Sequence, residues 1–237
     1  MTRPERPDVP MSDRAVIEIQ QRIIRGEWAS ETSLSEGDIA TELQMSKTPV
    51  RHALALLRRE AWVDVLPRSG YRVVPITLQG ARDLSAVRIA LEGEAAAAAA
   101  LRIGRNQPAI TALTEYVDKE GTEAEFDLRA HHRFHEIIAV CSGNEELRRL
   151  LSQVLLKLQR YWNLDWVRPH VGRWDLPHGP LLEAIVAGGP VAARERALEH
   201  ATSGRDHLME VLLASDALLN ADLTRRPGRR HRAQSGR

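Results

Sequence analysis

The chain has 237 residues, 43% of them hydrophobic, which is enough for one large or two modest globular domains. The first ten residues contain three prolines and no apolar run, and no stretch of eighteen apolar residues follows, so we expect neither a signal peptide nor a membrane span. Cys141 is the single cysteine, which excludes an internal disulfide, and a cytoplasmic protein is expected.

The formal net charge of +1 is unevenly distributed along the chain. Residues 1–76 contain 11 lysines and arginines and 11 acidic residues, residues 77–220 contain 16 and 20, and residues 221–237 contain 6 and 1. The neutral N-terminal part argues against nonspecific coating of nucleic acid, so any contact with DNA would depend on one of its faces. Residues 1–11 and 221–237 are expected to be disordered tails.

Two short helices separated by a tight turn are predicted near the N-terminus. Ser35 can cap the first helix, which would run through Leu43, and the next two residues make the turn. The second helix is expected over residues 46–61, and its buried stripe consists of Val50, Ala53, Leu54 and Leu57. Facing away from this stripe near the helix start are donors suited to a major groove, namely Lys47, Thr48 and Arg51.

A two-stranded hairpin is predicted next, because apolar residues alternate with others on both sides of a Pro-Arg-Ser-Gly turn at 67–70. Its tip carries one cation, Arg68, and one glycine, Gly70. Two helices, a tight turn and a hairpin form a winged helix-turn-helix, which we assign to residues 12–76. This arrangement is typical of proteins that bind double-stranded DNA.

The stretch resembles the winged helix-turn-helix of GntR-type bacterial transcription regulators, in LSEGDIATEL at 34–43 and SKTPVRHAL at 46–54. The resemblance implies that operator DNA is contacted by residues of the second helix and the wing: Ser46, Lys47, Thr48, Arg51, Arg68 and Gly70. Many relatives carry an arginine where this chain has Gly37, so one contact is expected to be missing. From the residues alone, Lys47 and Arg51 could also form a solvated helix face.

Residues 77–220 show helical periodicity and no alternation typical of strands. Glycines and prolines divide them into six predicted helices: 77–103, 108–120, 123–142, 145–168, 178–187 and 190–219. We therefore expect a mainly α protein in which an antiparallel bundle of about six helices follows the winged domain. Six alanines at 95–100 either let another helix approach closely or simply favour helix formation.

The bundle resembles the effector-binding FCD domain of the FadR-type branch of GntR regulators. The similar segments are VRIALE at 87–92, HHRFHEIIAVCSGN at 131–144, PHGPLLEAIVAGG at 177–189 and RALEHATSGRDHL at 196–208. The resemblance implies a domain that binds a small effector and pairs two subunits.

Histidines are the candidate metal ligands. His131 and His135 lie four residues apart on one predicted helix, so they share a face and can bind one transition metal, although two core or solvated histidines would show the same spacing. The resemblance to FCD domains implies a metal site at His135, His178 and His200, together with an aspartate one turn before the first of them. This chain has His131 at that position, and the adjacent His132 is expected to point elsewhere on the helix and to face solvent.

Two alternatives follow for the fourth ligand. Either His131 replaces the aspartate, or Asp127 is recruited from one further turn back. We favour His131, because Asp127 would lie about 6 Å further along the helix axis. Four imidazoles would bring no negative charge, so a bound divalent ion would keep its full charge and favour an anionic ligand. All-imidazole donors also suit Zn or Ni better than Mg or Mn.

Arg88 is the candidate effector-binding residue. The resemblance implies that an arginine on the first bundle helix helps to hold a carboxylate beside the metal. Glu92, four residues further on, supports the alternative of an ordinary helix salt bridge.

These features predict a ligand-responsive transcription regulator, expected to be a repressor and not an enzyme. It would bind operator DNA as a homodimer, and its bundle would bind a divalent transition metal and a small carboxylate effector. One alternative is a metal-dependent hydrolase or lyase that uses the histidines, although no carboxylate base stands beside them on the same helix face. The other is a regulator whose bundle binds a different effector without metal.

Overall fold

The computed structural model describes residues 10–28, 32–67, 69–120, 128–170 and 177–214. The chain divides into two compact units between Ile76 and Thr77. Of the tails predicted from the sequence, residues 1–9 and 221–237 lie outside the described residues. Within the described ranges, no helix has the length and apolar character needed to cross a membrane.

The first unit combines three helices with a small antiparallel sheet. The helices are α1 (Met11–Ile24), α2 (Glu36–Glu42) and α3 (Lys47–Arg59), and the strands are β1 (Ser33–Leu34), β2 (Val63–Leu66) and β3 (Gly70–Val73). β3 lies between the other two strands, and Val63 of β2 is opposite Val73. The predicted winged helix-turn-helix is confirmed, while α1 and the short β1 are elements that the motif alone does not predict.

Local sequence signals explain the helix-turn-helix. The Ser35 Oγ caps α2 by accepting a hydrogen bond from the backbone N–H of Asp38 at 3.1 Å. Gln44 in the turn adopts a left-handed conformation with φ of 53°. α3 then buries the whole predicted stripe of Val50, Ala53, Leu54 and Leu57. The opposite face of α3 is exposed near its start.

Gly70 is required by the backbone of the wing. Its φ is +93°, and a Cβ at this position would lie 2.5 Å from the carbonyl oxygen of Leu34 in β1. Leu34 pairs with Tyr71 in β3, so a side chain at position 70 would push the two strands apart. The glycine predicted to contact DNA therefore has a structural role that does not depend on DNA.

The second unit is helical, and the predicted antiparallel bundle is confirmed. Its helices are α4 (Leu78–Ala100), α5 (Gln107–Lys119), α6 (Leu128–Cys141), α7 (Glu145–Trp162), α8 (Gly179–Val186) and α9 (Pro190–Ala214). Short 3-10 turns cover Ile103–Arg105 and Arg168–His170. Over the part of this unit that the structure describes, no strand is present.

Close packing of α4 against α9 positions the buried site of the bundle. Ala95, Ala96 and Ala99 of α4 are fully or almost fully buried, which supports the interpretation that small residues allow a close helix approach. Gly93 contributes in the same way, because a Cβ there would lie 3.1 Å from Cδ2 of Leu198 on α9. Both helices carry buried polar side chains, Arg88 and Glu92 on α4 and His200 on α9.

Candidate functional site

Four histidines from three parts of the bundle converge on one buried point. His131 and His135 lie on α6, His178 is the residue before α8, and His200 lies on α9. All four side chains are at least 96% buried. Each offers one ligand atom, and these atoms all lie within 4.8 Å of one another. Donor atoms this close fit around one metal ion, because imidazole nitrogens that bind Zn²⁺ at about 2.0–2.1 Å lie within a few ångströms of one another.

His178 forms two hydrogen bonds with Glu120, which follows the last residue of α5. The Glu120 Oε1 lies 2.5 Å from the His178 Nδ1, and its Oε2 accepts the backbone N–H of His178 at 2.8 Å. The ring therefore donates its Nδ1–H to the carboxylate, which leaves a lone pair on Nε2. Among the described residues, this buried Nε2 has no hydrogen-bond partner. A bound metal ion would use that lone pair.

His135 contacts two charged residues of α4. Its Nδ1 lies 3.3 Å from the Glu92 Oε1, and its Nε2 lies 3.3 Å from a terminal nitrogen of Arg88. Since an arginine can only donate, the Nε2 accepts and the Nδ1 carries the proton. Arg88 also donates its Nε–H to Glu92 at 2.7 Å. The predicted Arg88–Glu92 salt bridge is thus present, and the same guanidinium also contacts a candidate metal ligand.

Burial and neighbouring charges shift the pKa values of this cluster. Burial lowers the pKa of His131 and of His135 well below the usual range, and the positive charge of Arg88 lowers both further. Burial also raises the pKa of the Glu92 carboxyl, and Arg88 offsets this only in part. Burial raises the pKa of the Glu120 carboxyl too, but the hydrogen bonds from His178 bring the net pKa below its ordinary value. His131 and His135 are therefore neutral near pH 7, as metal ligands must be.

Two sequence-based expectations about this site need correction. The protein was expected to bring no negative charge to the histidines, but Glu92 and Glu120 each contact one of the rings. His132, expected to face solvent, is half-buried, and burial lowers its pKa to about 3. Asp127, the alternative fourth ligand, lies outside the described residues. No local pattern reveals Glu120, which is 58 residues from His178.

Acidification is expected to destabilise the metal-free protein through these histidines. A group whose pKa is depressed by folding gives full stability above its unfolded pKa, about 6.5 for histidine, and loses it as the pH falls towards the folded pKa. For His131 the loss approaches about 1.4 kcal/mol per pH unit. Urea unfolding of chelator-treated protein at several pH values between 7.5 and 5 measures this loss of unfolding free energy.

The matched variant is His131→Gln, which cannot titrate. Its free energy of unfolding should fall less steeply with decreasing pH than that of the unmodified protein. Parallel pH profiles for the two proteins would contradict the assignment of a neutral, buried His131.

Four of the six predicted DNA-contacting residues lie at one exposed end of α3. Lys47, Thr48 and Arg51 are exposed, and Ser46 is the residue that precedes the helix. The Arg51 Nε–H donates to the Glu36 Oε2 at 3.1 Å, which orients the guanidinium while 62% of the side chain stays exposed. Arg68, the predicted wing contact, lies outside the described residues. The four positions at the start of α3 form the candidate DNA-binding face, whose contacts with DNA stay a prediction.

The missing side chain at Gly37 changes the surroundings of Lys47. A Cβ at position 37 would lie 3.8 Å from both the Cε and the Nζ of Lys47, in ordinary van der Waals contact. The Lys47 ammonium therefore lies beside Gly37, the position at which the family resemblance implies an arginine in many relatives.

Comparison with protein-family models gives two matches that together cover both units. Residues 11–73 match the model described as bacterial regulatory proteins, gntR family, and residues 83–203 match the FCD domain. The chain belongs to the GntR family of bacterial transcription regulators. Members of this family with an FCD domain are regulators and not enzymes, so the alternative of a hydrolase or lyase is excluded.

Several relatives resemble this GntR-family regulator over most of their length. An uncharacterised helix-turn-helix regulator of Bacillus subtilis, YdhC, is 24% identical over 200 residues, which covers 82% of this chain and 89% of YdhC. The transcriptional repressor GlaR of Escherichia coli is 26% identical and covers 77% of this chain and 88% of its own. Among solved structures, Escherichia coli McbR/YncC shares the fold, with a TM-score of 0.69 and 18% identity over 85% of this chain and 98% of its own.

Proposed function

We propose that this GntR-family regulator is a repressor controlled by a small carboxylate, and that its FCD domain binds this effector next to a divalent transition metal. The observation that carries the proposal is the convergence of His131, His135, His178 and His200 within 4.8 Å at a fully buried point. Two relatives are named as repressors, GlaR and the gluconate operon repressor of Bacillus subtilis, which supports the proposed sign of regulation.

The chemistry of the four donors fits a metal better than it fits a structural core. Buried polar atoms normally have hydrogen-bond partners, yet the Nε2 of His178 has none among the described residues. Four neutral imidazoles suit Zn²⁺ or Ni²⁺, and a bound ion of this kind supplies a Lewis acid that holds an anion in its open positions. The histidines would hold the ion, with His131 as the fourth ligand.

Arg88 gives the proposed site its preference for a carboxylate. The guanidinium is 95% buried, and one terminal N–H points to the Nε2 of His135. When His135 serves as a metal ligand, this N–H needs another acceptor, and a carboxylate oxygen is a strong one. Glu92 keeps the guanidinium in place through its Nε–H. The effector would thus be recognised by an arginine already fixed beside the ligands.

The proposal requires that effector binding changes operator affinity in a homodimer. Two winged domains in a dimer would place two copies of α3 in successive major grooves of a near-palindromic operator. α4 carries Arg88 and starts at Leu78, two residues after the winged unit ends at Ile76. An effector that favours one position of α4 would therefore act on the peptide segment that joins the two units.

Thermal unfolding of the full-length protein, with and without a chelator, tests this function. We expect Zn²⁺ to raise the Tm of chelator-treated protein, and a carboxylate from a panel of acetate, lactate, malate, citrate and gluconate to raise it further only in the presence of Zn²⁺. A ligand at 100 times its Kd adds about 2.7 kcal/mol, or roughly 5–10 °C for a chain of this size. The same acid should weaken operator binding in a gel shift.

Two outcomes would contradict the proposal. The first is that elemental analysis finds no metal retained by the purified protein and that added Zn²⁺ leaves its Tm unchanged. Alternatively, an acid could raise the Tm equally with and without the chelator, which would identify a regulator that binds its effector without metal.

A further inference from the structure

Glu120 occupies an unusual place in the bundle. It follows the last residue of α5, its backbone leaves the helix with φ of −62° and ψ of 127°, and 24% of its side chain is exposed. Its two carboxylate oxygens contact one residue, His178, on another element of the fold. One oxygen accepts the backbone N–H and the other faces the ring Nδ1, so a single carboxylate fixes both the position and the rotation of this histidine.

The contact also determines which nitrogen of His178 is available. With the Nδ1 proton directed at Glu120, the lone pair is on Nε2, which is buried and has no hydrogen-bond partner in the described part of the chain. The centroid of the His178 ring lies 4.1 Å from that of His200 and 4.9 Å from that of His131. On its other sides the ring packs edge-on against Tyr116 and Phe134, at 5.0 and 4.6 Å. The Nε2 lone pair of His178 therefore lies close to the rings of the other candidate ligands.

We propose that Glu120 is a positioning residue of the metal site, which holds His178 in the tautomer and orientation that present Nε2 as a ligand. A carboxylate that accepts the N–H of a metal-bound imidazole also makes the other ring nitrogen a stronger electron-pair donor to the metal. Loss of such a partner lowers metal affinity by about 10–100-fold. The inference rests on the proposed function, in that it requires the four histidines to bind a metal.

Glu120→Gln is the informative substitution, because an amide has one acceptor and one donor where the carboxylate has two acceptors. If its oxygen faces the ring, its NH₂ opposes the backbone N–H of His178. If its NH₂ faces the ring, it donates to Nδ1 and favours the tautomer with the proton on Nε2. The second orientation keeps both contacts and is favoured, because the first turns two N–H donors towards each other. We therefore expect the tautomer with the proton on Nε2 in this variant. The matched control is Glu115→Gln, which changes an exposed glutamate on the same helix.

The first measurement is the Zn²⁺ affinity of the full-length protein, obtained by competition with a chelator of known affinity. We expect Glu120→Gln to weaken Zn²⁺ binding by about 10–100-fold, Glu115→Gln to leave it unchanged, and Glu120→Asp to give an intermediate value. The second measurement is the tautomer of His178 in the metal-free protein, from ¹⁵N shifts of labelled histidines. The unmodified protein should show the Nδ1–H form, and Glu120→Gln should not retain it as the single form.

The outcomes separate this inference from the function on which it rests. Equal Zn²⁺ affinity for Glu120→Gln and the unmodified protein, or an unchanged tautomer, would overturn the role of Glu120 and leave the metal site standing. Failure of the unmodified protein to bind Zn²⁺ would overturn both. If Glu120→Gln lowers the Tm of the metal-free protein, Glu120→Asp decides, since a folded Asp variant that binds Zn²⁺ no better than Gln contradicts positioning.

Discussion

Replacing His131 with alanine is expected to lower Zn²⁺ affinity by more than about 100-fold, because loss of a partner outside the ligand shell alone reduces affinity by about 10–100-fold. His131 is 97% buried. Its ring centroid lies 4.7 Å from that of His135, which is four residues further along the same helix. Removal of its imidazole leaves three donors. Chelator competition gives the affinity, and elemental analysis of purified protein gives the retained metal.

Two control variants make this result specific. Asp127→Ala tests the alternative fourth ligand, and we expect it to retain metal affinity within a few-fold. His132→Ala changes the adjacent histidine, which does not belong to the converging set of donors. If Asp127→Ala abolishes binding and His131→Ala does not, the aspartate is the ligand and His131 has a different role.

Arg51→Ala is expected to weaken operator binding by about 10–100-fold, since a bidentate arginine contact with guanine contributes about 1–3 kcal/mol. Glu36 holds the Nε–H of Arg51, which leaves the terminal nitrogens of an exposed guanidinium to face outwards at the start of α3. An operator selected by the unmodified protein from random duplexes supplies the probe. Gel-shift titration at one fixed salt concentration supplies the affinity.

The control for this substitution is Arg58→Ala. Arg58 is exposed on the same helix but lies in its last turn, away from the end predicted to enter the groove. It should change operator affinity little, and both variants should bind Zn²⁺ like the unmodified protein. Equal operator affinity for Arg51→Ala and the unmodified protein would remove α3 from its proposed role as the recognition helix.

Signals confined to one element were readable from the sequence. The Ser35 cap, the buried stripe of α3 and the alanines of α4 each depend on residues close together in the sequence. Periodicity and capping preferences therefore predict them. Helix ends were less accurate. The helix predicted to reach residue 168 ends at Trp162, with Asn163 as its C-cap, and a separate 3-10 turn follows at Arg168–His170.

Contacts between elements could not be predicted in the same way. Glu120 and His178 are 58 residues apart, and Arg88 and His135 are 47 apart. Which side chains meet at such separations depends on how the helices pack, and helical periodicity carries no information about that. The family resemblance supplied three of the four histidine positions, but it did not indicate either carboxylate that contacts the rings.

Arg88 has a consequence for how metal and effector would influence each other. In the metal-free chain, its N–H already occupies the ring nitrogen of His135 that the proposed function assigns to the ion. Binding of the ion at this nitrogen would then require release of the Arg88 N–H. The measured metal affinity would therefore be lower than the intrinsic affinity by the free energy needed to displace Arg88. A carboxylate that accepts the released N–H raises the affinity for metal, and by reciprocity metal raises the affinity for the carboxylate. The bundle would therefore work as a coincidence detector, which responds fully only when both partners are present.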